Sequence, residues 1–415
     1  MFDLIFACFL GVICGAITGL IPGIHVNTAG AIIFTSSAFL LGIFSPEFLC
    51  VFLVAMSIAH ALIEFIPSIF LGVPDEATAV SVLPGHRMVL EGRSKEAIRI
   101  VAIGGFGAII VIILILPILI IFLPTIQGVI KPYTFLILLL VSLYMIWRLS
   151  NGKRAFFWSL LLFIFSGFLG WTIFQTPISS GLSMMCIFSG LFGISTILFS
   201  LNDKSFMPHQ NKFYDLELNS NMLRGIFAGG VSGAILGFLP GFGPAQGSII
   251  AQTVAGGDGE DNTENFLTSI SGLNTSDTLF SLICIYLIGN PRSGIAVYMS
   301  YLISTFNISH LLIFIFTALV AVSVSLMLCL KLGDSFSKIM QNINYKKLSF
   351  IVIILMVLIL YIFTIIYKAN IIYITLALIT STAMGLLPHY LGVSKSHLMG
   401  ILIIPAMIIY FEMFI

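Results

Sequence analysis

The chain has 415 residues, 59% of them hydrophobic and only 8% charged, with a net charge of +1 and a mean hydropathy of +1.13. Soluble proteins carry about 25% charged residues, so this composition excludes a soluble domain of useful size. A balance this close to neutrality also argues against nucleic acid as a partner.

The first apolar segment, 1–21, has no Lys or Arg before it. It therefore reads as a first membrane helix and not as a cleaved signal. Regions 2–83 and 222–300 are broken, the first by Pro22, Pro46, Pro67 and Pro74 and the second by Pro240, Pro244 and Pro291. Discontinuous helices or re-entrant hairpins are expected there. Between and after them lie apolar runs of spanning length, at roughly 100–123, 133–147, 155–174, 178–200, 309–330, 349–367, 371–387 and 398–414. The six cysteines (Cys8, Cys14, Cys50, Cys186, Cys284, Cys329) all sit in apolar segments without a CxxC pair. They read as small hydrophobes, not as disulfides or metal ligands.

One pattern occurs twice. Gly11, Gly15, Gly19 and Pro22-Gly23 are repeated as Gly229, Gly233, Gly237 and Pro240-Gly241, 218 positions on. Glycines at every fourth position line one helical face and admit a second backbone. The Pro-Gly then stops the helix. Backbone freed by such a break is tolerated in a membrane only where it is buried or lines a polar cavity. Paired breaks in two halves of a transporter point to a substrate site near the midplane. A further register aligns Leu71-Gly72 with Ile288-Gly289, 217 positions on, and sets Ser57 against Asn274 and His60 against Asp277.

Basic residues cluster in loops 84–99, 148–154, 201–224 and 331–347, with Lys395 in the last loop, so that fifteen of the 18 fall in these segments. Basic loops favour the cytoplasm. Loops 84–99 and 331–347 have repeat partners with little or no charge, near 301–308 and 124–132. Equivalent loops on opposite sides are the mark of an inverted repeat. The expected fold is an all-α polytopic membrane protein of two inverted-topology repeats, 1–208 and 209–415, with a cytoplasmic linker at 201–222 and both termini outside.

Polar residues in apolar segments mark function. After the breaks come Gly23, His25 and Asn27 in the first half, and Gly241, Gly243, Gln246 and Ser248 in the second. With Asn274 and Arg292 they form the expected substrate site. His60, Glu64, Asp75 and Asp277 are the candidates for ion coupling. Each has a plainer role as well. His25 can cap the broken helix, His60 and Glu64 can form a structural pair, Asp75 can cap a helix, and Arg292 can snorkel. No nucleophile elbow, HExxH or ATP-binding loop is present, which points away from an enzyme and from direct ATP drive.

These features together resemble the TctA family, the large permease of tripartite tricarboxylate transporters, and most closely its archaeal members. The duplicated glycine motif carries the resemblance, with the stretch from Leu71 to Ile100 and the segment around Asn274. Pro74-Asp75 and Pro291-Arg292 stand where the bacterial pattern has Pro-Gly. The resemblance implies a secondary transporter for a small organic anion, a di- or tricarboxylate. Coupling would be to H+ or Na+, with no other cofactor. It implies a plasma-membrane location among lipids, and admits a small membrane subunit and an extracytoplasmic binding protein as partners. A homodimer is a further option. The alternative function is a polyprenyl- or lipid-phosphate translocase. In the transporter reading, Pro22 and Pro240 approach within roughly 15 Å, the span of two packed helices.

Overall fold

The glycine stripe builds the first helix pair. The computed structural model describes residues 2–21, 26–72, 82–201, 208–211, 217–237, 247, 251, 263–289, 291–340 and 345–414. Helix α1, Phe2–Leu20, stops just before the first Pro-Gly. Its glycine face lies against α4, Pro46–Ile63. Gly11 meets Phe52, Ala55 and Met56, and Gly15 meets Met56, Ala59 and His60. Between them come the short helices α2, Val26–Thr35, and α3, Ser37–Leu40. Helix α5, Phe65–Leu71, continues α4 after a bend at Glu64 and ends at Gly72 with a left-handed φ of 64°. Together α4 and α5 are the most deeply buried span of the described chain.

The same contact recurs in the second half. Helix α12, Ser220–Leu236, packs along α13, Thr263–Ile288. Gly229 meets Ser269, Gly272 and Leu273, and Gly233 meets Leu273, Ser276 and Asp277. Every partner is displaced by the 217 positions that separate Met56 from Leu273. The register that set His60 against Asp277 is thus repeated in space, each residue facing the middle glycine of its own stripe.

Long helices tie the halves together. After α6, Val82–Leu90, helix α7 runs from Ser94 to Ile130. After α14, Gly294–Leu302, helix α15 runs from Ile308 to Met340. Helix α7 packs on α13 and α12 of the other half, while α15 packs on α4 and α1. At 37 residues, α7 is about 55 Å long at 1.5 Å per residue, far more than the bilayer core needs. Here the sequence expectation of a loop at 124–132 is corrected. Pro117 and Pro124 lie inside α7, which passes through one 3-10 turn, Lys131–Tyr133, into α8, Thr134–Arg148. Proline is tolerated inside an apolar helix whose neighbours or local adjustments satisfy the freed carbonyl.

The remaining helices form a second group. They are α9, Lys153–Phe174; α10, Ser180–Phe188, continued by a π turn, Ser189–Ile194, into α11, Ser195–Ser200; α16, Tyr345–Ile366; α17, Ile371–Leu391; and α18, Gly400–Phe414. Again they pair across the halves, α9 with α18 and α17 with the π turn.

Three basic segments converge at one end. Arg99 reaches Asp334 at 3.2 Å, Ser94 Oγ donates to Ser337 Oγ at 3.1 Å, and the linker residue Gln210 accepts from Ser94 N at 3.2 Å. Gln210 also donates to Val89 O at 2.8 Å and is 1% exposed. Nine helical stretches among the described residues are long and apolar enough to cross a membrane, and no strand is present among them.

Candidate functional site

The first polar cluster forms where α1, α4 and α13 meet. His60 and Glu64 are one helical turn apart, so their side chains share a face. His60 Nε2 lies 3.6 Å from Glu64 Oε2. On the far side of the ring, His60 Nδ1 is 3.0 Å from Thr18 Oγ1. The glycine stripe makes that reach available, because Gly15 and Gly19 bring the α1 backbone directly against His60. Glu64 Oε1 accepts from Asn274 Nδ2 at 2.6 Å, and the same amide donates to Ala61 O at 2.9 Å. His60, Asn274 and Glu64 are 2%, 5% and 7% exposed. A buried carboxylate is costly unless it is paired and hydrogen-bonded. Glu64 Oε1 has such a hydrogen bond, supplied by the other half of the chain, and Oε2 has the His60 ring at ion-pair distance.

The second cluster lies at the start of α14. Asn27, just past the first break, accepts from Ile295 N at 3.2 Å through its Oδ1 and packs against Gly294. Ser293 caps the same helix by accepting from Ala296 N at 3.2 Å, and Ser281 Oγ donates to Ser293 Oγ at 2.7 Å. The contact extends down α2 and α14, where Phe34 stacks on Tyr298 at 5.0 Å. Both helices are short, with ten and nine residues. At about 15 Å or less, neither can span a bilayer core of about 30 Å. Two half-length helices from opposite halves therefore meet, and the polar residue after one break caps the other. Ser281 lies seven positions beyond Asn274 on α13, so the two clusters are separated by about 10 Å along that helix. Asp277 lies between them, half-buried. Arg292 stands beside Ser293, and its Nε is buried without a hydrogen bond.

Of the residues singled out in the sequence, His60, Glu64 and Asn274 come together in one cluster, and Asn27 and Arg292 flank the other. Gly23, His25, Asp75, Gly241, Gly243, Gln246 and Ser248 lie outside the described residues, as do Pro22 and Pro240 with their expected approach. Thr18 and Ser281 carry contacts that the sequence reading missed. Thr18 was legible in principle, as a hydroxyl beside Gly19 on a helix whose only other polar side chain is Asp3 in the first turn. Ser281 had no local signal.

The profile of the tripartite tricarboxylate transporter TctA family matches residues 5–400. The chain belongs to the TctA family. An uncharacterized protein of Methanocaldococcus jannaschii is 32% identical to this TctA chain over 403 residues, which cover 97% of each. An uncharacterized 52.8 kDa protein of Agrobacterium vitis is 24% identical over 259 residues, 59% of this chain and 50% of the relative. No solved structure matches. As a TctA protein with nine candidate spans among its described residues, the chain is a multi-pass membrane permease of a transporter family.

Proposed function

We propose that this TctA protein is a secondary transporter of a small organic anion, a di- or tricarboxylate, coupled to H+ or Na+. The observation that supports this most directly is Asn27 of the first half capping α14 of the second. A polar, helix-breaking junction shared by two halves is where such carriers bind substrate. In this reading the repeats 1–208 and 209–415 are inverted, and the site lies between their Pro-Gly loops. Gly23, His25 and Asn27 act with Gly241, Gly243, Gln246 and Ser248, while Asn274 borders the cavity. Arg292, whose Nε has no hydrogen bond, pairs with a substrate carboxylate. His60, Glu64, Asp75 and Asp277 serve ion coupling. The basic end that holds Arg99, Gln210 and Asp334 faces the cytoplasm and both termini face out. A small membrane subunit and a binding protein complete the system, and a homodimer is a further option.

The test is uptake of labelled di- and tricarboxylates into proteoliposomes under imposed pH and Na+ gradients, with Arg292→Ala as the control. Gradient-driven uptake that Arg292→Ala abolishes is the expected result. Translocation of a polyprenyl phosphate without movement of any carboxylate would overturn this reading.

A further inference from the structure

We infer that the turn joining α8 to α9 is a binding site for the headgroup of an anionic phospholipid. The inference is independent of what the protein transports.

The turn lies where two apolar spans end. One candidate span closes at Arg148 and the next opens at Lys153, so residues 149–152 sit at the level of the lipid headgroups. The turn is pinned to both helices. Ser150 Oγ donates to Ile146 O at 2.6 Å and lies 3.1 Å from Ser159 Oγ. Gly152 completes it with a φ of 91°, a conformation open to glycine and strained for other residues. A Cβ there would meet nothing within 4 Å, because the turn stands over an open cleft. Trp147, Ser150, Gly152, Lys153 and Phe156 line that cleft, whose volume is about 360 Å³. Small-molecule sites begin at about 300 Å³, so the space suits a headgroup.

Charge decides the kind of headgroup. Arg148, Lys153 and Arg154 fall in one short stretch, and no Asp or Glu occurs between Glu96 and Asp203. Of the elements packed on α8 and α9, α10, α17 and the turn Lys395–Met399 carry no acid, and α18 carries one, Glu412. Its neighbour Phe411 packs at 5.0 Å on Phe135, and Phe135 is about 20 Å along α8 from Arg148. Glu412 is thus held at the far end of the helix. Lys153 and Arg154 are exposed and present charge that no carboxylate of these packed elements neutralises. Each such residue near the membrane surface attracts an anionic headgroup, and a phosphodiester accepts hydrogen bonds from both side chains.

The apolar surroundings favour a lipid over a free anion. Trp147 is 65% exposed, and tryptophan settles at headgroup level. From it an exposed row of Tyr144, Leu143 and Leu140 runs down α8 toward the bilayer interior. An acyl chain on that row continues from a phosphate held at Lys153. Free phosphate would leave the row uncovered.

The test uses the full-length protein in neutral detergent, with lipid adducts counted by native mass spectrometry. Dioctanoylphosphatidylglycerol is the anionic probe, and dioctanoylphosphatidylcholine and inorganic phosphate are the comparisons. The wild type should bind the phosphatidylglycerol in preference to the phosphatidylcholine. Lys153→Gln combined with Arg154→Gln should weaken that binding roughly 30-fold, the worth of two surface charges. Lys346→Gln combined with Lys347→Gln, which removes the same charge from the exposed start of α16, should leave it unchanged. Trp147→Ala should weaken it without altering charge. Equal binding of the two lipids would overturn the inference. So would displacement of the phosphatidylglycerol by equimolar inorganic phosphate, or equal losses from the two double variants. The lipid preference of the wild type and the behaviour of Trp147→Ala decide the matter even where the double variant at the turn melts early.

Discussion

Arg99 on α7 and Asp334 on α15 lie 3.2 Å apart across 235 positions of sequence. The pair joins the start of α7 to the last turns of α15, and Ser94, Ser337 and Gln210 join there as well. Segments 84–99 and 331–340, expected as loops, lie mostly in α6, α7 and α15 and share one end. Cysteines introduced at Arg93 and Lys338 should both resist membrane-impermeant reagents in intact cells, as cytoplasmic basic loops do. Labelling of both would reverse the orientation. Labelling of one alone would contradict the shared end.

The glycine stripes are contact faces of unequal tightness. A Cβ on Gly15 would meet Ala59 Cβ at 2.8 Å, and one on Gly233 would meet Asp277 N at 2.9 Å, whereas Gly19 leaves 3.1 Å to His60 O. Gly15→Leu and Gly233→Leu should each cost about 1–3 kcal/mol, the usual range for overpacking, read as a lowered melting temperature. Gly19→Ala should cost less than Gly15→Ala. A Cβ on Gly128 would meet nothing within 4 Å, so Gly128→Ala should be neutral or stabilise by up to about 1 kcal/mol. Equal losses at Gly15 and Gly128 would remove the packing explanation.

Lys395 ties the last loop to α11 of the first half. Its Nζ donates to Ser195 Oγ at 2.9 Å, Leu191 O at 3.3 Å and Thr196 Oγ1 at 2.5 Å. The π turn Ser189–Ile194 and the missing side chain of Gly385, which lies against Leu191 and Ser195, let that approach form. Lys395→Met should lower stability by about 1.5–3 kcal/mol, the range for a hydrogen bond to a charged group. An unchanged melting temperature would show that water replaces the lysine without loss.

His86 supplies a pH signal outside the spanning helices. Its Nδ1 lies 2.9 Å from Ile69 O. Burial holds the imidazole below its ordinary value, opposed in part by that backbone hydrogen bond. The unfolded chain binds a proton near pH 6.5, about the value of a free histidine, while the folded site resists it. Stability is therefore full above that pH and is lost as the pH falls through it. His86→Gln should flatten the acid side of the melting-temperature profile relative to wild type. Coincident acid limbs would assign the loss to other groups.

Asn27 and Ser293 share the N-terminus of α14. Loss of a capping side chain costs about 0.5–2 kcal/mol, so Asn27→Ala should lower the melting temperature by that equivalent and weaken uptake. Asn27→Asp, which keeps the acceptor oxygen, should restore stability. If it also places a negative charge in an anion site, uptake should stay impaired, and recovery of both would limit Asn27 to capping.

The sequence by itself determined the class of the protein, the duplication and the company of the basic loops. Each of these depends on local chemistry: apolar run length, a glycine every fourth residue, and lysines and arginines between spans. It also determined the register of the two helix pairs, because glycine stripes leave one close way to pack. Only the tertiary structure decided which polar groups meet. Glu64 and Asn274 are 210 positions apart, and Asn27 and Ile295 are 268 apart. The repeat set Asn274 against Ser57 as its equivalent, and equivalence is not contact. Its true partner, Glu64, follows from how the two halves cross, and no periodicity within either half encodes that crossing. Thr18 and Ser281 gain their roles within their own halves, from His60 and Ser293, which they meet only in the folded chain. Also hidden was the length of α7, which runs through Pro117 and Pro124 to Ile130, past the expected end near 123.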